Sequence, residues 1–119
     1  MSDRDEAADL LPLAPAAFHI LLALAEEDRH GYAVMQEVAR RTGGELNLGP
    51  ATLYRSIQRM LEQGLIEEVR ERPPAALDDE RRRYYRITRF GREVARAEAA
   101  CLTDLVRLAR AAGLVPRKA

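Results

Sequence analysis

Between Leu48 and Ile66 the apolar residues Leu53, Ile57, Met60 and Leu61 recur in steps of four, three and one, which predicts a helix with one buried face. Pro50 stands in its first turn, where the amide that proline lacks would be unpaired anyway, and Gly64 follows the last turn, where a left-handed stop is cheapest. The other face carries Thr52, Arg55, Ser56, Gln58, Arg59 and Glu62, with Tyr54 beside it. Two helices are expected before this one. Pro15 to Ala25 places Phe18, Leu21, Leu22 and Leu24 near one face, behind a poor cap at Ala14. Gly31 to Arg41 spaces Tyr32, Met35, Val38 and Ala39 by three, three and one, with His30 at its start and Gly43 and Gly44 at its end.

Two strand candidates follow the third helix, Leu65 to Arg72 and Arg83 to Thr88. In the second, Tyr85 and Ile87 share one face while Tyr84, Arg86 and Thr88 share the other. The intervening PPAALDDERR is a proline-led polar loop, too long for a tight hairpin. Glu45 to Leu48 offers one further short strand, and the polar, acidic residues up to about Leu11 are expected to fray. Thr88 caps the last helix, Arg89 to Ala112, whose seam is Phe90, Val94, Ala97, Cys101, Leu105 and Leu108. A helix of that length runs roughly 36 Å, more than a domain of this size covers with its own core. The seam of Val94, Cys101, Leu105 and Leu108 therefore calls for a second copy of the chain.

At 119 residues, 47% hydrophobic and 32% charged, the chain reads as one globular domain. Net charge is zero, from 19 basic and 19 acidic residues, so no overall attraction to nucleic acid exists. The distribution is uneven. Met1 to Pro12 carries −3, whereas Arg70 to Arg92 holds eight arginines and carries +4. A single cysteine, Cys101, excludes an internal disulfide and a cysteine-clustered zinc site, and it reads as a small seam residue rather than a redox sensor. The acidic start lacks the positive region of a secretory signal, and the apolar run after it is too short to span a bilayer, so a cytoplasmic protein without membrane contact is expected.

The polar face of the third helix carries the candidate chemistry. Arg55 and Arg59 lie one turn apart, Arg55 nearer the helix start as a base reader and Arg59 as a phosphate contact. The Thr52 hydroxyl is placed for a phosphate or base edge near free backbone amides, and Gln58 adds an amide. Arg81, Arg82 and Arg83, at the base of the returning strand, either neutralise phosphates or pair with Asp78, Asp79 and Glu80. His19 has no ligand-spaced partner. Without a glycine-rich phosphate loop, a metal-spaced histidine pair or a nucleophile elbow, no enzyme, cofactor or metal is expected.

Three helices, a hairpin with a basic-flanked loop and a protruding helix follow the winged helix-turn-helix plan: mainly α with a small β-hairpin, and a C-terminal dimerisation helix. In that plan the third helix enters the major groove and the wing follows the backbone. The blocks HGYAVMQEV (His30 to Val38), GPATLYRSIQRMLEQGLIEE (Gly49 to Glu68) and RRRYYRITRFG (Arg81 to Gly91) resemble those of the PadR family of bacterial transcriptional regulators. The resemblance runs from about Leu13 onward and is closest to the short C-terminus subgroup. It implies a homodimeric repressor on a pseudo-palindromic operator in double-stranded DNA, with the C-terminal helix packed on the partner's N-terminal region. Tyr54 stands in the family's hallmark Thr-Leu-Tyr, and its phenol reads as a phosphate contact, against the alternative of a ring half-buried on the second helix. The resemblance also permits a small-molecule effector of unknown identity in apolar space between the N-terminal and dimer helices. The expected organisation is a flexible acidic N-terminus (1–12), a winged DNA-binding domain (13–88) and a dimerisation helix with its tail (89–119). Two rival readings remain: a winged-helix protein-interaction module without specific DNA binding, and a DNA-binding protein with no effector.

Overall fold

The computed structural model describes residues 3–69 and 83–116, with side chains from Glu6 onward. Among the described residues the elements run α1 (Asp3–Asp9), α2 (Pro15–Glu26), β1 (Arg29–His30), α3 (Gly31–Arg41), α4 (Pro50–Glu62), β2 (Ile66–Val69), β3 (Tyr84–Ile87) and α5 (Arg89–Ala111). The four helices expected from the sequence are α2, α3, α4 and α5.

Helix α4 follows its pattern closely. Pro50 opens it, Leu53, Ile57 and Met60 are its buried residues, and Gly64 takes a φ of 76° just past its end. The inward faces of the two helices before it differ from the expectation. Helix α2 buries Ile20, Leu21, Ala23 and Leu24 and leaves Leu22 at the surface, because α3, α4, α5 and β3 all pack against it and no single stripe describes such a helix. Helix α3 turns Val34, Glu37 and Val38 inward and leaves Tyr32 outside. His30 caps it, its Nδ1 accepting from the Ala33 amide at 3.0 Å.

Glu37 takes an inward position because arginines surround it. Arg40 and Arg41 both donate to its carboxylate, the Arg41 Nε at 2.5 Å, and Arg29 approaches to 3.9 Å. These hydrogen bonds, from Arg40 first and Arg41 second, hold the Glu37 carboxyl down at about 2, from 4.5. Arg29 also donates to the Ala23 carbonyl at 2.8 Å, and Arg41 reaches Glu26 at 2.8 Å, so the cluster ties α2, β1 and α3 together.

The sheet has three antiparallel strands in the order β1-β3-β2. Ile66 pairs with Ile87 and Val69 with Tyr84 on one side, while Arg29 pairs with Tyr85 and His30 with Tyr84 on the other. The third strand is thus Arg29–His30, and Glu45 to Leu48, expected as a short strand, is instead part of the connection from α3 to α4. The reason is a tertiary one: β3 offers its free edge to the residues just before α3. Central placement buries both tyrosines of β3, and Tyr84 meets the His30 ring edge-on, with centroids 5.3 Å apart. Burial, more than any charge, pushes the Tyr85 hydroxyl above its ordinary pKa.

Thr88 joins the sheet to α5. Its Oγ1 donates to the Gly64 carbonyl at 2.6 Å and accepts from the Gly91 amide at 2.9 Å, capping the helix and holding it to the end of α4. Gly91 then passes so close to the backbone that an added Cβ would stand 2.1 Å from the Leu65 carbonyl oxygen. The start of the chain, expected to fray, is helix α1, which packs against α5 with Ala7 buried, and Leu10, Leu11 and Leu13 join the edge of the core. Two or three small apolar residues among acids give no periodic signal, so this element was invisible before its partner helix was placed. Among the described residues no helix is long and apolar enough to cross a membrane.

Candidate nucleic-acid interface

The core lifts α4 so that its polar face is bare. Thr52, Tyr54, Arg55, Gln58 and Arg59 are all exposed, on the side opposite Leu53, Ile57 and Met60. Neither Arg55 nor Arg59 has a carboxylate partner among the described residues, unlike Arg29, Arg40, Arg41 and Arg86, each held by an acid. Two arginines, a hydroxyl and an amide along one exposed helix face form a set of donors suited to phosphates and base edges.

Tyr54 sits at the rim of this face, 49% exposed, with its ring against Gly31 of α3. The two sequence readings of this residue are therefore compatible: the ring rests on α3 while one side of it meets solvent. Sequence reasoning missed Gly31 as the seat of Tyr54. The signal available was a glycine at the first position of a helix, where nothing in the helix itself requires one.

On the other flank, Arg55 and Arg59 border a groove of about 340 Å³ whose far wall is Leu10, Pro12, Leu13 and Ala17. No local pattern could place the N-terminal segment there. It is carried to α4 by the packing of α1 on α5, and the Leu13 amide donates to the buried Glu98 of α5 at 3.4 Å.

Of the three wing arginines, Arg83 is described. It is largely exposed and approaches Glu68 on the paired strand β2 at 3.7 Å, while Asp78, Asp79 and Glu80 lie outside the described residues. Arg81 and Arg82 lie outside the described residues, as does the loop before them. Arg86, which contributed to the basic count of this stretch, is engaged by Asp28 through contacts of 3.0–3.3 Å.

The seam of the last helix divides in two. Val94 is fully buried by its own chain, so it belongs to the core and not to an exposed seam, a correction that follows from α5 lying on α2 over its first turns. Glu98 is the last residue of α5 that the chain buries, and every residue from 99 to 108 is exposed, including Cys101, Leu105 and Leu108. Leu102 and Val106 extend the same apolar surface. Among the described residues no group of three or more His, Cys, Asp or Glu is placed to hold a metal ion.

The fold recurs in solved structures. A transcriptional regulator from Clostridium thermocellum aligns with a TM-score of 0.68 at 23% identity, covering 80% of this chain and 86% of that one. A PadR family transcription regulator from Clostridium difficile gives 0.68 at 21% identity, covering 82% and 96%. A PadR-like transcription factor from Bacteroides fragilis gives 0.65 at 19%, covering 79% and 85%. In sequence, the uncharacterised protein X of Lysinibacillus sphaericus is 37% identical over 73 residues, which is 61% of this chain and 64% of that protein, just under two thirds of its length. The profile of the Transcriptional regulator PadR-like family matches residues 20–97, which run from the core of α2 through the sheet to the buried part of α5. The chain belongs to the PadR-like family of transcriptional regulators, built on a winged helix.

Proposed function

We propose that this protein is a cytoplasmic repressor that binds a pseudo-palindromic operator as a homodimer. The observation that carries this reading is the bare polar face of α4, where Arg55 and Arg59 have no acid of their own among the described residues. Helix α4 enters the major groove, with Arg55 reading a base edge and Arg59, Thr52 and Tyr54 fixing the helix on phosphates. Gly49 offers α4 no side-chain cap, so the amides of its first turn are available to a phosphate. Gln58 faces the same groove, and Arg81, Arg82 and Arg83 neutralise the backbone at the wing.

Dimerisation uses the uncovered half of α5, from Cys101 through Leu105 to Leu108, with Leu102 and Val106. Large apolar side chains left in water would each forfeit roughly 1.5–3 kcal/mol, which a second copy of the helix recovers. Two-fold symmetry then sets the two α4 helices about one turn of DNA apart, near 34–36 Å. Footprinting on the promoter DNA of its own gene tests the whole reading. Two protected half-sites at that spacing are expected, and uniform, salt-insensitive protection would refute it.

A further inference from the structure

The groove beside α4 has one wall that DNA does not use. The N-terminal segment and α2 line it with Leu10, Leu13 and Ala17, and α4 lines it with Arg55, Arg59 and Met60. Among the described residues no carboxylate lines it. A concavity with two arginines and no acid selects an anion, because the guanidinium groups form charge-assisted hydrogen bonds that nothing inside the groove competes for. The leucine wall selects an apolar body. A phosphodiester backbone has a use for the arginines but offers little to Leu10 and Leu13. At about 340 Å³ the space lies at the small end of ligand sites, which run from roughly 300 to 1,000 Å³.

The geometry points to a binding site for a small amphipathic anion, one carboxylate or phosphate head on an apolar body, lying between the N-terminal segment and α4. The head pairs with Arg55 and Arg59 and the body lies along Leu10, Leu13 and Ala17. This site is separate from the apolar space between the N-terminal and last helices that the family resemblance allows. It rests on the reading of α4 as the DNA-facing helix in one respect: the same two arginines serve both ligands, so an occupied groove and a bound operator exclude each other. The N-terminal segment thereby couples a metabolite to operator release with no change of fold, by direct competition for two side chains.

Four probes separate the contributions: octanoate, octyl phosphate, octanol for the body alone and inorganic phosphate for the head alone. Titration of the full-length protein, followed by backbone amide NMR, is expected to shift Leu13, Ala17, Ser56 and Gln63 with octanoate or octyl phosphate, and the tighter of the two identifies the head. Octanol and inorganic phosphate each bind about tenfold more weakly or worse, as loss of one half of the interaction requires. Arg55→Ala and Arg59→Ala, both at exposed positions, lower amphiphile affinity by about tenfold. Arg89→Ala, on α5 and outside the groove, leaves it unchanged. Octanol binding as tightly as octanoate, shifts confined to α5, or affinities untouched by Arg55→Ala and Arg59→Ala would overturn the inference. Competition against a labelled operator duplex keeps the two readings apart. If Arg55→Ala abolishes DNA binding and no amphiphile binds the wild type, the ligand site fails alone. If the amphiphile binds through the arginines and the duplex stays bound, α4 is not the DNA-facing helix and the shared-arginine account fails.

Discussion

The phenol of Tyr54 rests on the bare Cα of Gly31, so closely that a Cβ there would come within 2.7 Å of its oxygen and 3.0 Å of its ring. The contact joins the first residue of α3 to the exposed face of α4. Because Tyr54 is half-exposed, its ring has somewhere to go if pushed.

Gly31→Ala should therefore cost little stability, the helix gaining from the lost glycine about what the displaced ring gives up, within roughly 1 kcal/mol. If Tyr54 holds the phosphate proposed for it, operator affinity should fall all the same, because the ring is moved from its place on α3. Gly91→Ala is the contrasting case. Its Cβ would meet the Leu65 carbonyl, backbone that cannot swing aside, and a loss of roughly 1–3 kcal/mol or more is expected. Thermal unfolding and a gel shift on both variants would show the two effects separating.

Glu37 makes stability depend on acid. Its carboxyl sits at about 2 in the folded protein against 4.5 ordinarily, so the folded state favours the charged form. A depressed carboxyl contributes fully above its ordinary value, and that contribution is lost as the pH falls from about 4.5 toward 2. Glu37→Gln should lower the melting temperature at neutral pH and flatten the part of the acid limb between those values. A variant whose melting curve kept the wild-type slope there would place the acid sensitivity in other carboxylates.

Reading and anchoring separate by mutation. Arg55→Ala should relax base preference at one position in each half-site, at about 1–3 kcal/mol against the correct base. Arg82→Ala should weaken all sequences alike and lower the salt slope by roughly one per wing. Affinity of the wild type should drop on the order of a thousandfold between about 50 and 200 mM salt if a dimer makes six to ten phosphate contacts. Selection of binding sites from a random pool at two salt concentrations measures all three. A wing variant with altered sequence preference would reverse the assigned roles.

Leu105→Asp puts a charge at the centre of the uncovered half of α5, where Leu105 is 60% exposed in the single chain. Sedimentation should show monomers with an intact winged domain, since the residue lies beyond Glu98 and supports none of the core. Operator binding should be very poor. Val94→Asp, by contrast, should unfold the domain, because Val94 has no exposure at all. A Leu105→Asp dimer with normal binding would put the interface elsewhere.

Where neighbours along the chain decide the outcome, the sequence alone was enough. The buried stripe of α4, its opening at Pro50, its stop at Gly64 and the His30 and Thr88 positions at helix starts are all local, set by the helix period and by which backbone angles a residue tolerates. The polar face with Arg55 and Arg59 followed from the same periodicity, since a helix with one apolar stripe must present the rest. Tertiary contact decided what periodicity cannot carry. Arg29 and His30 became a strand only because β3 had an open edge, and Val94 left the seam for the core only because α2 lies beneath it. Helix α1, too short to be stable alone, exists against α5, and through it Leu10 and Leu13 come to face Arg55 and Arg59 across more than 40 residues of sequence. Each of these depends on the energy of surfaces meeting, which has no trace in the order of residues until both surfaces are built.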